Sequence, residues 1–329
     1  MAYDLEFEKP LVELEKKITA LQRKGERLKA EELTQLQETE RELRQRTEEI
    51  YKKLTSWQTV AVARHKDRPY SADYIRLLCD DFFELHGDRS FGDDHAIMTG
   101  PARIDGQTVM LVCHQKGRDM KEKQLRNLGM PHPEGYRKAF RAMQQAEKFG
   151  MPIITLIDAA GASPGLVDEE RGQAEAIAAT LYLMPRLRVP IIATIIGEGG
   201  SGGALAIGIA DRVLMLEHSI YMVAAPEAAA SIIWRNSAFA SYAAEGMRVS
   251  ARELLPLALI DEVLPEPLGG AHHNYHQMAQ TLKAGLLRNL AEIKQLSTEE
   301  MLEKRYEKFR VIGKYAYLEA EVPLVSEVS

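Results

Sequence analysis

Residues 195–206 read IIGEGGSGGALA. An apolar run ends in glycines, and a helix-forming stretch follows at once. Three chemistries compete for it. Gly199-Gly200-Ser201-Gly202-Gly203 fits G-x-S-x-G, the strand-to-helix elbow that presents a nucleophilic serine. Gly197-Glu198-Gly199-Gly200-Ser201-Gly202 fits G-x-G-x-x-G, a dinucleotide-binding turn. The third reading uses only main-chain N–H groups. Gly202 and Gly203 open a helix, so their amides lack intrahelical acceptors, and glycine lets an oxygen approach the backbone closely. Such donors form an oxyanion hole.

A counterpart lies upstream. MPIITLIDAAGASPG at 151–165 and VPIIATIIGEGGSGG at 189–203 share one design: a proline, an apolar run, then a loop of small residues entering a helix. Pro152 and Pro190 are separated by the length of one strand–loop–helix unit and its return. Continuous apolar strands imply an α/β fold whose sheet is covered on both faces. Helices are predicted at about 169–183 and 201–209. RVLMLE and SIYMVAA read as further strands, and Pro226-Glu227 opens the helix PEAAASIIW with residues suited to a first turn.

Upstream of the tandem, Ala102–Ile104 and Thr108–Cys113 read as a hairpin with Asp105-Gly106 at its turn. Tyr74–Phe83 reads as an amphipathic helix. The N-terminal segment is different. Leu11, Leu14, Ile18 and Leu21 recur at helical spacing, and Leu36, Leu43, Ile50 and Trp57 recur every seventh residue. This predicts a helical hairpin over roughly 9–23 and 31–55, within an N-terminal arm of residues 1–60. The main domain is expected over 61–318. Its C-terminal third, from SARELLPLALIDEVL to TEEMLEKRYEKFRVIGKYAYL, reads as helical, and 319–329 as a loose tail.

Composition narrows the function. The 329 residues are 45% hydrophobic and 27% charged, with a net charge of −6, which gives no electrostatic case for nucleic acid or an anionic membrane. The acidic N-terminus lacks the apolar core of a signal peptide, and no apolar run reaches the ~18–20 residues of a membrane span. A cytoplasmic location is expected. Two cysteines, Cys79 and Cys113, make no zinc site and read as buried small hydrophobes.

The elbow reading needs a base and an orienting acid, and the candidates are Asp261 with His272 or His273 in a polar loop. The dinucleotide reading gains Glu217, about 20 residues further on and placed for a ribose hydroxyl. It also sets Glu198 beside a pyrophosphate, which is unfavourable. The amide reading needs no further side chain.

Five segments, in register, resemble the carboxyltransferase alpha subunits of bacterial acetyl-CoA carboxylases. They are His114-Gln115-Lys116-Gly117-Arg118, GMPHPEGYRKAFR at 129–141, EERGQAEAIA at 169–178, IIGEGGSGGALAIG at 195–208 and PEPLGGAH at 265–272. The resemblance implies a crotonase-like spiral of ββα units with an N-terminal helical hairpin and a helical C-terminal region. It implies transfer of a carboxyl group from carboxybiotin, borne on a biotin carboxyl carrier protein, to acetyl-CoA, giving malonyl-CoA for fatty acid synthesis. Another acyl-CoA substrate and a Ser201 hydrolase are the alternatives.

By the same resemblance, the partners are a zinc-ribbon beta subunit, the carrier and an ATP-using biotin carboxylase, in an alpha2beta2 carboxyltransferase. Zinc would belong to the beta subunit, and no metal to this chain. The Gly202 and Gly203 amides would receive the biotin ureido oxygen. Gly199, Gly200, Ser201, Gly161, Ala162 and Pro164 would line the carboxybiotin pocket. Because the ureido group can take the proton alpha to the thioester, such a site needs oxyanion holes and positioning more than a protein base. Lys116, Arg118 and Arg137 are candidates for contacts to CoA or the carrier, from a basic set that includes Lys121, Lys123, Arg126 and Lys138. Two departures stand out. The family commonly has Thr-Pro where this chain has Ala159-Ala160, and Gly or Ala followed by Cys where it has Ala228-Ala229. Without a proline, φ before Gly161 is no longer fixed.

Overall fold

A computed structural model describes residues 3–313. The hairpin comes first. Helix α1 (Lys9–Gln22) packs against α2 (Ala30–Tyr51), with Leu11, Leu14 and Ile18 of the first and Leu36 of the second buried. Helix α2 stops four residues short of the predicted end. Helix α3 (Ser56–Ala63) restarts the chain with Thr55 as its cap, its side chain accepting from Gln58 N.

Helix α4 (Ser71–Leu78) ends before the predicted Phe83. Asp81–Phe82 is instead β1, an edge strand captured by pairing with β2 (Ile97–Ile104). Strand β3 (Gln107–His114) returns antiparallel through Asp105-Gly106, both at positive φ, as a two-residue hairpin turn requires. Next come α5 (Met120–Leu125) and α6 (Pro133–Lys148), and then the tandem. Strand β4 (Ile153–Ala159) leads to α7 (Leu166–Glu170) and α8 (Gln173–Leu183). These two replace the single predicted helix because Gly172, at φ 82°, breaks it. Strand β5 (Ile191–Gly200) enters α9 (Ser201–Leu205), which is shorter than predicted because glycines at 202, 203 and 208 propagate helix poorly.

Strands β6 (Arg212–Leu216) and β7 (Ile220–Met222) lead to α10 (Pro226–Trp234) and α11 (Ala240–Met247). The start of the region read as helical, 250–264, is only α12 (Ala251–Leu254), a turn through Pro256 and Ala258 (φ 55°), and strand β8 (Glu262–Leu264). Helices α13 (Tyr275–Ile293) and α14 (Thr298–Arg310) complete the described chain, and the predicted tail lies outside the described residues.

The sheet runs β1-β2-β3-β4-β5-β6-β8, antiparallel through β3 and parallel beyond it. Both faces are covered, as continuous apolar strands demand. Ile153 and Ile157 of β4 face Tyr136, Ala139 and Met143 of α6, while Ile154 and Leu156 face the core built with α13. Strand β5 has two successive partners. Ile192–Ile195 pair with β6, and Glu198–Gly200 pair with β7. The chain thus winds off the sheet at the glycines, and its last turn opens the site. Cys113 is buried and Cys79 half-buried, and burial pushes both thiols up, away from nucleophilic use.

Candidate functional site

The parallel strands β3, β4 and β5 end side by side, where open α/β sheets bind ligands. Their ends carry charge inward. Lys116 Nζ lies 2.7 Å from Asp158 Oδ1 and 3.3 Å from Glu198 Oε2. Arg64, at the end of α3, closes the far side, 2.6 Å from Glu198 and 2.7 Å from Glu227 of α10. Glu198 N also donates to Asp158 Oδ1 at 2.9 Å. Burial would raise the Glu198 carboxyl, but Lys116 and Arg64 outweigh it and hold the group below the usual range. Burial opposes the Lys116 charge too, and Asp158 and Glu198 overcome it, so its pKa is raised. The network is a fully paired scaffold beneath the glycine loop. His114 stands at the end of β3, fully buried, and burial and then Lys116 push it down to about 3, so it is neutral.

Above the network the chain turns at Ser201, exposed and at φ 51°. A left-handed serine between strand and helix is the backbone of a nucleophile elbow. The partners are elsewhere. Asp261 accepts from Val213 N and binds Lys308, while His272 and His273 stack in a cluster with His65. No hydrogen bond joins Ser201 Oγ to a base among the described residues. Glu217, the dinucleotide candidate, accepts from Glu266 N, and Glu198 is locked in its ion pairs.

The glycines differ from one another. A Cβ at Gly200 would fall 1.9 Å from Ala160 O, and one at Gly203 would fall 2.5 Å from Ala162 N and from the Gly161 carbonyl carbon. At Gly199 it would meet the Tyr221 ring at 2.9 Å. Packing alone requires glycine at these three. Gly202 is different. Its nearest neighbour would be Ile177 at 3.8 Å, ordinary contact, and its φ is not left-handed. It is half-buried, and its N–H has no acceptor among the described residues. Gly161 and Ala162 are half-buried against this turn, and Pro164 is exposed beside it.

Lys116, Arg118 and Arg137 are each engaged within the fold. Lys116 points into the strand ends. Arg118 binds Asp73, donates to Arg68 O and lies 4.5 Å over the Tyr70 ring. Arg137 reaches Asp88 at 2.8 Å and Arg171 O at 3.0 Å. Lys138 is buried on Asp93, and Arg126 donates to His95 O. The sequence reading did not find Asp158 and Glu198 as partners of Lys116, nor Arg64 as the second cation on Glu198. A charged residue closing each of three consecutive apolar strands was the available signal. Among the described residues no cluster of His, Cys, Asp or Glu could hold a metal, and no helix is long and apolar enough to cross a membrane.

Comparison with known proteins follows the same lines. Residues 4–313 match the family model "Acetyl co-enzyme A carboxylase carboxyltransferase-like". The chain is 53% identical to the acetyl-coenzyme A carboxylase carboxyl transferase subunit alpha of Geobacter metallireducens, over 95% of this chain and 98% of that one. It is 54% identical to the subunit of the same name from Klebsiella pneumoniae subsp. pneumoniae, over 94% and 98%. Among solved structures, a Pseudomonas malonate decarboxylase hetero-tetramer in complex with coenzyme A shares the fold at TM-score 0.57 and 20% identity, over 71% of this chain and 90% of that one. Transcarboxylase 12S shares it at TM-score 0.53 and 21% identity, over 67% and 42%. The fold is the crotonase-like carboxyltransferase fold.

Proposed function

This chain belongs to the family of acetyl-CoA carboxylase carboxyltransferase alpha subunits, and from that premise we infer that the turn from β5 into α9 is its oxyanion hole. The chain works as a carboxyltransferase subunit, moving a carboxyl group from carboxybiotin to acetyl-CoA to give malonyl-CoA. Carboxybiotin, when bound, supplies the carboxyl group and a ureido group that becomes anionic as the carboxyl leaves. The chain's own contribution is a set of fixed donors. The Gly202 amide, with that of Gly203 behind it, donates to the ureido oxygen as negative charge develops there. Gly199, Gly200, Ser201, Gly161, Ala162 and Pro164 shape the surround.

One observation carries this reading: Gly202 is a glycine that packing does not require, at a helix start whose N–H groups are unclaimed. The partner would be a zinc-bearing beta subunit that holds acetyl-CoA, with biotin delivered on its carrier protein in the cytoplasm. Large apolar side chains exposed on α10 and α11, among them Ile232, Ile233 and Tyr242, suit a chain that works in an assembly.

The test is Gly202→Val in the reconstituted complex. The fold has room for a Cβ at this position, and the branched side chain then screens the amide. Malonyl-CoA formation should fall on the order of 100-fold, as losses of oxyanion donors do, with the complex intact by size exclusion. Near-normal turnover overturns the reading. Gly203→Val is unsuitable, because it collides with the Gly161–Ala162 main chain.

A further inference from the structure

Between β4 and α7 the main chain is weakly self-supported. Among the described residues, Ala160–Gly165 donates one main-chain hydrogen bond, from Ser163 N to Pro131 O at 2.9 Å. Yet Gly200 and Gly203 bear directly on this segment. Side chains hold it from the other side, and they converge on one buried carboxylate. Asp168 accepts from Ser163 Oγ on one oxygen. On the other it meets His132 Nδ1 at 2.7 Å and Arg171 Nη2 at 2.7 Å. A carboxylate only accepts, so His132 carries a proton on Nδ1. Gln173 Nε2 bridges Pro131 O at 2.8 Å and Ser163 O at 2.9 Å. His132 N is fixed on Asp94 Oδ2 at 2.9 Å, which ties the whole group to the start of α6.

We propose that His132, Ser163 and Asp168 are positioning residues for the carboxyl-transfer step. They clamp the Gly161–Ala162 main chain, and this sets Gly203 and with it the Gly202 amide. The clamp reaches the glycine turn through the packing of Ala160–Ala162 on Gly200 and Gly203, and among the described residues none of the three side chains hydrogen-bonds to the Lys116 network or to the turn itself. Its bearing on catalysis rests on the reading of Gly202 given above.

The experiment uses the reconstituted complex, with hydrogen exchange by mass spectrometry beside steady-state turnover. In Asp168→Ala and His132→Ala, amides in the segments 158–165 and 200–206 should exchange faster. Turnover per folded complex should fall about tenfold or more, as displacement of catalytic groups does, with KM for acetyl-CoA within about twofold. His132→Asn, which keeps a donor toward Asp168, should retain more turnover than His132→Ala. Ala160→Pro fixes φ before Gly161 and removes no main-chain hydrogen bond seen among the described residues. Added to His132→Ala, it should restore both protection and turnover.

Unchanged exchange in Asp168→Ala overturns the clamp, as does faster exchange with unchanged turnover. Failure of Ala160→Pro to rescue an intact His132→Ala complex also counts against positioning. If Gly202→Val is fully active while Asp168→Ala loosens the segments and slows turnover, the clamp stands and the assignment of the Gly202 amide falls.

Discussion

Lys116 is the residue at which sequence and structure pull hardest in different directions. A lysine in a glycine-bounded motif invites a phosphate, but its ammonium is spent on Asp158 and Glu198. Removing one member of a buried ion cluster leaves the others uncompensated, at a cost of about 3–5 kcal/mol. Lys116→Met should therefore lower the melting temperature by roughly 10 °C. A phosphate-binding lysine would behave otherwise, leaving the melt unchanged and raising KM for acetyl-CoA. Calorimetry and initial rates on one preparation separate the two. Ser201 teaches the opposite lesson. Its backbone is that of an elbow, yet the groups that would make it a nucleophile lie elsewhere in the fold.

Among the elements, the N-terminal arm is attached through a cluster of histidines. His65, at the end of α3, stacks on His272 at 3.8 Å, His272 meets His273 at 4.6 Å, and His273 meets Tyr3 at 4.8 Å. His65 also holds Asp4 at 2.7 Å. Both nitrogens of His272 are buried without a hydrogen-bond partner. Burial, then His65 and His273, push His272 from an ordinary value near 6.5 down to about 3. Between these values the unfolded chain binds a proton that the folded chain refuses, so stability falls as pH drops from about 6.5 toward 3. Glu266 works in the same direction lower down. Burial opposes its charge, but Arg68 and then His218 hold it at about 2 against an ordinary 4.5. Its contribution is complete above 4.5 and is lost as pH falls toward 2. His272→Phe should flatten the dependence of unfolding free energy on pH between 5 and 6 by up to about 1.4 kcal/mol per pH unit. Urea titrations at the two pH values measure it, and an unchanged slope removes His272 from the account.

For the whole molecule, the main consequence is incompleteness. The glycine turn offers donors for one anion, and none of the described side chains is arranged as an acid or base beside Ser201. The purified chain alone should form no malonyl-CoA from a carboxybiotin donor, and addition of the beta partner should restore activity. Full turnover by the lone chain would refute this. The C-terminal region is tied to the sheet by a buried ion pair. Buried Arg305 of α14 reaches both oxygens of Asp211 at 2.7 Å and the carbonyls of Met184, Leu187 and Val189, fastening the last helix beneath β5 and β6.

What the sequence determined by itself was whatever depends on neighbours along the chain. Apolar runs after Pro152 and Pro190 made buried parallel strands, Asp105-Gly106 made a hairpin turn, and the repeats of Leu11 and Leu36 made two packed helices. Five motifs in register carried the family. Tertiary structure decided what depends on distant pairing. Asp81–Phe82 and Glu262–Leu264 became strands because a sheet edge was there to take them, against a local helical pattern. The duties of the four glycines are also invisible in GGSGG. Whether a Cβ fits depends on Ala160, Ala162 and Tyr221, which the fold brings up from other strands and loops. The same holds for His132, Ser163 and Asp168. Each is an ordinary polar residue in the sequence, and only closure of the β4–α7 segment onto the start of α6 makes them one unit.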